Sequence, residues 1–232
     1  YLLEIMVRKK ILVTGGAGFI GSNFINLIME RYDKINLINF DAMYYCANET
    51  NIDIKWRESE RYVLVKGNLC SMDLVKHVLD IHKPTHIIHF AAQSHVQNSF
   101  SDALQYTNDN IVGTHTLLEA SRLYGKIQKF IHVSTDEVYG SAPGKIAYKE
   151  WDRHRPTNPY SASKSAAENI CISYENTYKL PIVVMNVMNA FGERQYIEKF
   201  IPKCIKYISE GRTIDIHSDP TCTNPGSRFY IH

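Results

Sequence analysis

Short apolar runs alternate with helical patterns through most of this chain: KILVT, a helical pattern from about Phe19, INLINF, YVLVKG, a second helix near MDLVKHVLD, THIIHF, a long helical stretch, KFIHVS, another long helix, and PIVVMN. The runs are largely continuous. A strand with one face in water would alternate apolar and polar residues, whereas a strand covered on both faces does not. Helices between successive strands supply that cover and make the connections parallel. The pattern therefore predicts an α/β fold, a doubly wound parallel sheet. The 232 residues suffice for one large domain of this kind and part of a second. Regular alternation stops after about Asn189. Residues 6–189 are expected to form the sheet domain and residues 190–232 to begin a smaller second lobe. The final run, SRFYIH, stops inside a strand pattern, which predicts an incomplete lobe; Met6 reads as the native start.

Lys and Arg total 26 against 24 Asp and Glu, with the two signs interspersed. Such a balance gives no electrostatic footprint for nucleic acid or an anionic membrane and points to a small-molecule ligand. The opening YLLEIMVRKK lacks the charge order of a secretory signal, and no run is long and apolar enough to span a bilayer. Cys46, Cys70, Cys171, Cys204 and Cys222 are scattered without metal-ligand spacing, so they read as reduced thiols of a cytoplasmic protein. No metal is expected. His86 and His89 in THIIHF fall on opposite strand faces and, with His82, read as structural.

ILVTGGAGFIGS sets a strand directly against Gly15, Gly16, Gly18 and Gly21 and then opens a helix. Glycines let backbone amides approach a pyrophosphate, and the helix start adds partial positive charge. A plain glycine-rich turn is the alternative, but the strand before and the helix after favour a dinucleotide site. Asp41 lies 20 residues past Gly21 at the end of the next strand. An acid there accepts from ribose hydroxyls and repels a 2′-phosphate, which favours NAD over NADP; a turn cap is its other reading.

STDEVYG follows an apolar strand and brings Thr135, Asp136 and Glu137 side by side. Alone, the string reads as a solvated turn. Downstream, NPYSASKSAAENI carries Tyr160 and Lys164 four apart at a helix start, hence on one face. The ammonium can lower the phenol's pKa and reach a cofactor ribose. Without the other motifs the pair would read as solvent decoration.

Taken together, TGGAGFIGS, HFAAQSHVQNS, NIVGTHTLLEA, FIHVSTDEVYG, PTNPYSASKSAAE and FGERQYIEKFIPK resemble the extended short-chain dehydrogenase/reductases, and among them the nucleotide-sugar 4,6-dehydratases. The resemblance runs from about Lys10 to His232 and implies a Rossmann-like fold. It implies that Gly15, Gly18, Phe19, Ile20, Gly21 and Asp41 hold NAD, with Asn68 and Leu69 at the adenine and Phe90, Ala91 and Ala92 at the nicotinamide half. Tyr160, with Lys164 and Thr135, would deprotonate the C4 hydroxyl. Glu137 would take the C5 proton, and Asp136 would protonate the departing C6 hydroxyl. Two adjacent carboxyls can do opposite jobs if an extended backbone sends them apart. His95 and Asn189 would face the sugar, and Glu198, Lys199 and Arg228 the nucleotide or diphosphate of a UDP- or dTDP-hexose.

The resemblance also implies a homodimer built on helices of roughly residues 103–124 and 161–178. Departures from the family pattern are Asn68 where Asp is commoner, Met188 where a second asparagine is usual, and a long IHSDPTCTNPGSR turn before Arg228. The rival activities are a nucleotide-sugar 4-epimerase, a UDP-glucuronate decarboxylase, and a non-catalytic NAD-binding sensor or scaffold.

Overall fold

The computed structural model describes residues 9–142, 147–216, 218–226 and 230–232. Its sheet begins with β1 (Lys9–Thr14), followed by α1 (Phe19–Arg31), β2 (Ile35–Asp41), a short α2 (Ile54–Arg57) and β3 (Tyr62–Lys66). A crossover through α3 (Met72–His82) leads to β4 (His86–His89). After the helical segments α4 (Val96–Ser101), α5 (Ala103–Tyr106) and α6 (Gly113–Tyr124), the sheet closes with β5 (Lys129–Thr135), α7 (Pro159–Tyr178) and β6 (Ile182–Val187).

Six strands pair in the order β3-β2-β1-β4-β5-β6, every pair parallel. The order reverses direction between β1 and β4. Crossovers leaving these two strands turn to opposite faces, so a crevice opens at their carboxyl ends, where open α/β sheets bind ligands.

The continuous apolar runs are explained by two cores. Leu12, Ile38, Phe40, Ile87 and Phe130 pack on one face with Val75, Val78 and Leu79 of α3, Leu117 and Leu118 of α6 and Cys171 of α7. Ile11, Val13 and Leu37 pack on the other with Ile25 and Met29 of α1. Successive residues of β1 thus enter different cores. His89 is buried between the hydroxyls of Thr14 and Thr114, at 2.6 and 2.9 Å, as a satisfied core histidine.

The long helix expected over residues 103–124 has a wider π-helical turn at Thr107–Val112. Its cause is Asn110, whose side chain points inward, accepts from the Gln93 amide at 2.7 Å and donates to Gln93 O and Ser163 Oγ. Such an expanded turn accommodates an inward polar side chain without ending the helix. Past β6 the chain leaves the sheet: β7 (Asn189–Ala190) pairs with β8 (Tyr230–Ile231), and α8 (Phe200–Ser209) lies between them in sequence. Among the described residues no helix is long and apolar enough to cross a membrane.

Candidate active site

The crevice is built first by what glycine permits. Gly15 has φ +70°, and a Cβ there would lie 2.6 Å from the Ala91 amide; one on Gly21 would lie 2.4 Å from Gly15 O. The loop therefore folds against β4 and α1 packs onto the loop only without side chains at these positions. Gly18 caps α1 with no side-chain bond to the first-turn amides, and it lines the crevice with Phe19 and Ile20. Uncapped amides at a helix start suit a pyrophosphate.

Asp41 does cap a turn, the second of its two expected readings. Its Oδ1 accepts from the Met43 amide at 2.8 Å, a turn cap, and its Oδ2 accepts from Ala17 N at 2.9 Å, which fixes the glycine loop. Burial pushes its pKa up, against the lowering effect of those two amides. The carboxylate also lines the crevice, together with Gly15, Gly18, Phe19, Ile20, Gly21, Asn68, Leu69, Phe90, Ala91 and Ala92. These residues fit a dinucleotide: a glycine cradle at the centre, an acid for a ribose, and apolar walls at Leu69 and Phe90.

The residues expected to react stand at the end of β5 and just beyond it. Thr135 is still extended, at φ −142° and ψ 150°, but Asp136–Tyr139 turn into a 3₁₀-helix rather than continuing the strand as the sequence reading assumed. Thr135 causes the turn: its Oγ1 accepts from Glu137 N at 3.3 Å and donates to Asp136 Oδ1 at 3.2 Å. Three residues per turn set neighbouring side chains roughly 120° apart, so divergence of the two acids comes from the turn. Asn158 adds a second constraint. It caps α7 in a reciprocal capping box with Ser161, and its Nδ2 donates to Glu137 Oε2 at 3.3 Å.

Tyr160 sits on the first turn of α7, near the Thr135 side chain. Burial, with the charges of Glu137 and Asp136, pushes its phenol well above the ordinary value. Lys164, 4% exposed, donates from Nζ to Val133 O at 2.7 Å, and burial brings its pKa down from 10.5 to about 8. Here the structure differs from the expected Tyr–Lys coupling. The ammonium is drawn to a main-chain carbonyl on the crevice wall, and burial, Glu137 and Asp136 outweigh the lowering of the Tyr160 pKa.

Glu198 and Lys199 close the rim. Glu198 accepts from Tyr45 OH at 2.9 Å on both oxygens, and Lys199 donates to Ser94 O at 2.9 Å. Burial lowers the Lys199 pKa. Both line the crevice with the expected cofactor residues. His95 lies 4.0 Å from Glu198 Oε2 and opens onto a neighbouring hollow with Lys203, Lys206 and Arg212. Asn189 is half-buried on β7, and Met188 beside it is exposed. Arg228 lies outside the described residues.

With this geometry in view, the family model described as GDP-mannose 4,6 dehydratase matches residues 12–218. The chain belongs to that family. It is 42% identical over 213 residues to a trifunctional UDP-glucose 4,6-dehydratase/UDP-4-keto-6-deoxy-D-glucose 3,5-epimerase/UDP-4-keto-L-rhamnose-reductase of Arabidopsis thaliana, covering 91% of this chain and 32% of that protein. It is 41% identical over 209 residues to the dTDP-D-glucose 4,6-dehydratase of Homo sapiens, covering 90% of this chain and 59% of that one. The chain thus spans less than two thirds of these relatives. Among solved structures, a dTDP-glucose 4,6-dehydratase from Bacillus anthracis in complex with NAD superposes with TM-score 0.83 at 37% identity, over 91% of this chain and 64% of the other. A Thermus thermophilus UDP-glucose 4-epimerase in complex with NAD gives 0.83 at 28% identity, over 96% and 70%.

Several residues of this family member's site escaped the sequence reading. Asn158 was legible: an Asn three residues before a Ser, ahead of a helix with Pro at its first position, is a capping-box signal. Tyr106, whose OH donates to His95 O at 2.6 Å and whose ring meets Tyr160 edge-on, had no local signal. Nor had Tyr44, Gln93 and Asp109, which meet in the crevice only through the fold.

Proposed function

We propose that the protein is an NAD-dependent nucleoside-diphosphate-hexose 4,6-dehydratase, converting a UDP- or dTDP-linked glucose or N-acetylglucosamine type substrate into a 4-keto-6-deoxy sugar. The observation that carries this reading is the turn at Thr135, which holds Asp136 and Glu137 beside Tyr160, two residues past Val133 on the wall of the dinucleotide crevice. Bound NAD would supply an acceptor for hydrogen from C4 and return it at C6. Tyr160 removes the C4 hydroxyl proton while Thr135 holds the same oxygen. Lys164, a buried cation next to Val133, would hold a ribose hydroxyl of the bound dinucleotide. The C4 ketone acidifies C5–H, whose proton Glu137, oriented by Asn158, removes and gives back to C5 once hydride has returned to C6. Asp136, in its protonated form, gives its proton to the C6 hydroxyl, which leaves as water.

An epimerase of this fold has no use for an acid and a base at C6 and C5, so the paired carboxylates favour dehydration over the 4-epimerase or decarboxylase. A sensor or scaffold has no need of Thr135, Tyr160 and Lys164 together. Residues 190–232 read as the start of the substrate lobe, with His95, Asn189, Glu198, Lys199 and Arg228 toward the nucleotide sugar. A homodimer is supported by apolar residues exposed on α5 to α7, Leu104 at 77%, Val112 at 43% and Ile172 at 40%. The unpaired cysteines suit a cytoplasmic setting. Incubating the protein and NAD with a panel of UDP- and dTDP-hexoses tests the reading. A product lighter by one water supports it, while a product of unchanged mass or loss of carbon dioxide supports the rivals.

A further inference from the structure

The adenine end of the crevice holds a carboxylate that the proposed reaction leaves unused. Asp109, on the π-helical turn between α5 and α6, lines the crevice with Tyr44, Asn68 and Leu69. Its Oδ1 accepts from Tyr44 OH at 3.4 Å and its Oδ2 from Gln93 Nε2 at 2.8 Å. A carboxylate offers about four lone-pair directions, so each oxygen keeps one for a ligand.

Asn68, the residue first expected at the adenine, is turned to the protein instead. Its Oδ1 accepts from Cys70 N at 2.7 Å and its Nδ2 donates to Tyr44 OH at 2.9 Å. Tyr44 OH in turn donates to Asp109, so a chain Asn68–Tyr44–Asp109 runs its donors toward the carboxylate and orients it. The amide at 68 holds the tyrosine, and the tyrosine and Gln93 hold the acid.

We infer that Asp109 is the residue that reads the purine of the bound dinucleotide, accepting a hydrogen bond from the exocyclic amine of adenine. This rests on the reading of the crevice as an NAD site and adds to it a base-selecting residue. The chemistry is specific. Adenine presents an amino donor at C6, whereas hypoxanthine presents an oxygen there, which a carboxylate repels. The pairing of a charged acceptor with a neutral donor is strong enough to count, and the unpaired carbonyl facing a carboxylate adds to the discrimination.

The test is calorimetric binding of NAD and of its deaminated analogue, nicotinamide hypoxanthine dinucleotide, to the wild type, Asp109→Asn and Asn68→Ala, with thermal melting as a folding control. The wild type is expected to prefer NAD by about tenfold or more. Asp109→Asn, nearly the same shape and able to offer a donor to the 6-oxygen, should narrow the ratio to within about threefold or invert it. Asn68→Ala should weaken both dinucleotides together and keep a preference for NAD. Equal binding of both by the wild type overturns the inference, as does an unchanged ratio in folded Asp109→Asn or a ratio lost in Asn68→Ala alone. If the wild type binds neither dinucleotide, the crevice reading falls and the inference with it.

Discussion

Glu137 and Tyr160 stand within electrostatic reach of each other, yet the proposed chemistry uses them at different carbons. Changing Glu137 to Gln should leave C4 oxidation intact, so that substrate addition builds up reduced nicotinamide absorbance with little product. Tyr160→Phe should give neither signal, because the first proton has no acceptor. Asp136→Asn should slow product formation by about 10²–10⁴-fold, the usual loss of a general acid, while C5–H still exchanges with deuterated solvent. Stopped-flow absorbance and mass spectrometry on the three variants separate these outcomes; reduced cofactor accumulating in Tyr160→Phe would contradict the assignment. Lys164 makes a further prediction. Its folded pKa of about 8 lies below the unfolded 10.5, so between these pH values the unfolded chain binds the extra proton and stability rises with pH. Cofactor-free wild type should gain up to about 3 kcal/mol across that window relative to Lys164→Met, measured by denaturant unfolding. A flat difference would mean that the buried amine is not depressed.

Three elements position the site: the glycine loop, the turn after β5 and the start of α7. Gly15→Ala should abolish dinucleotide binding and cost about 1–3 kcal/mol, since it adds a left-handed strain to a contact with the Ala91 backbone. Asn158→Ala should cost about 1 kcal/mol as a lost cap and lower kcat more than it raises KM, because Glu137 loses an orienting donor. A rise in KM with kcat unchanged would remove Asn158 from that role. The loop and α7 were legible in the sequence because their determinants are local. Gly15 to Gly21 follow a strand and open a helix, Asp41 ends the next strand, and Tyr160 and Lys164 share a helix face. The turn at Asp136–Tyr139 was not, since STDE serves an extended end as well as a 3₁₀ turn until the Thr135 hydroxyl binds the Glu137 amide. The π-helical turn escaped for a similar reason: Asn110 turns inward only because Gln93 and Ser163, distant in sequence, wait there. Lys164 was placed on the correct helix face, but its contact with Val133 O depends on how α7 lies over β5.

For the whole molecule, reversal of strand order between β1 and β4 gathers the glycine loop, Asp41 and Val133 of β5 around one crevice. Exposed Leu104, Val112 and Ile172 predict that the protein sediments as a dimer at micromolar concentration and that Leu104→Glu with Ile172→Glu weakens it. An unaltered monomer in both forms would count against the pairing. The central claim is that the adjacent acids make this crevice a dehydratase. It is tested most directly by mass spectrometry of the nucleotide-sugar product formed with NAD from the preferred hexose, comparing wild type with Glu137→Gln. The account predicts loss of one water from the wild-type product and almost none from the variant. A wild-type product that keeps its C6 oxygen, formed equally well by Glu137→Gln, would contradict it.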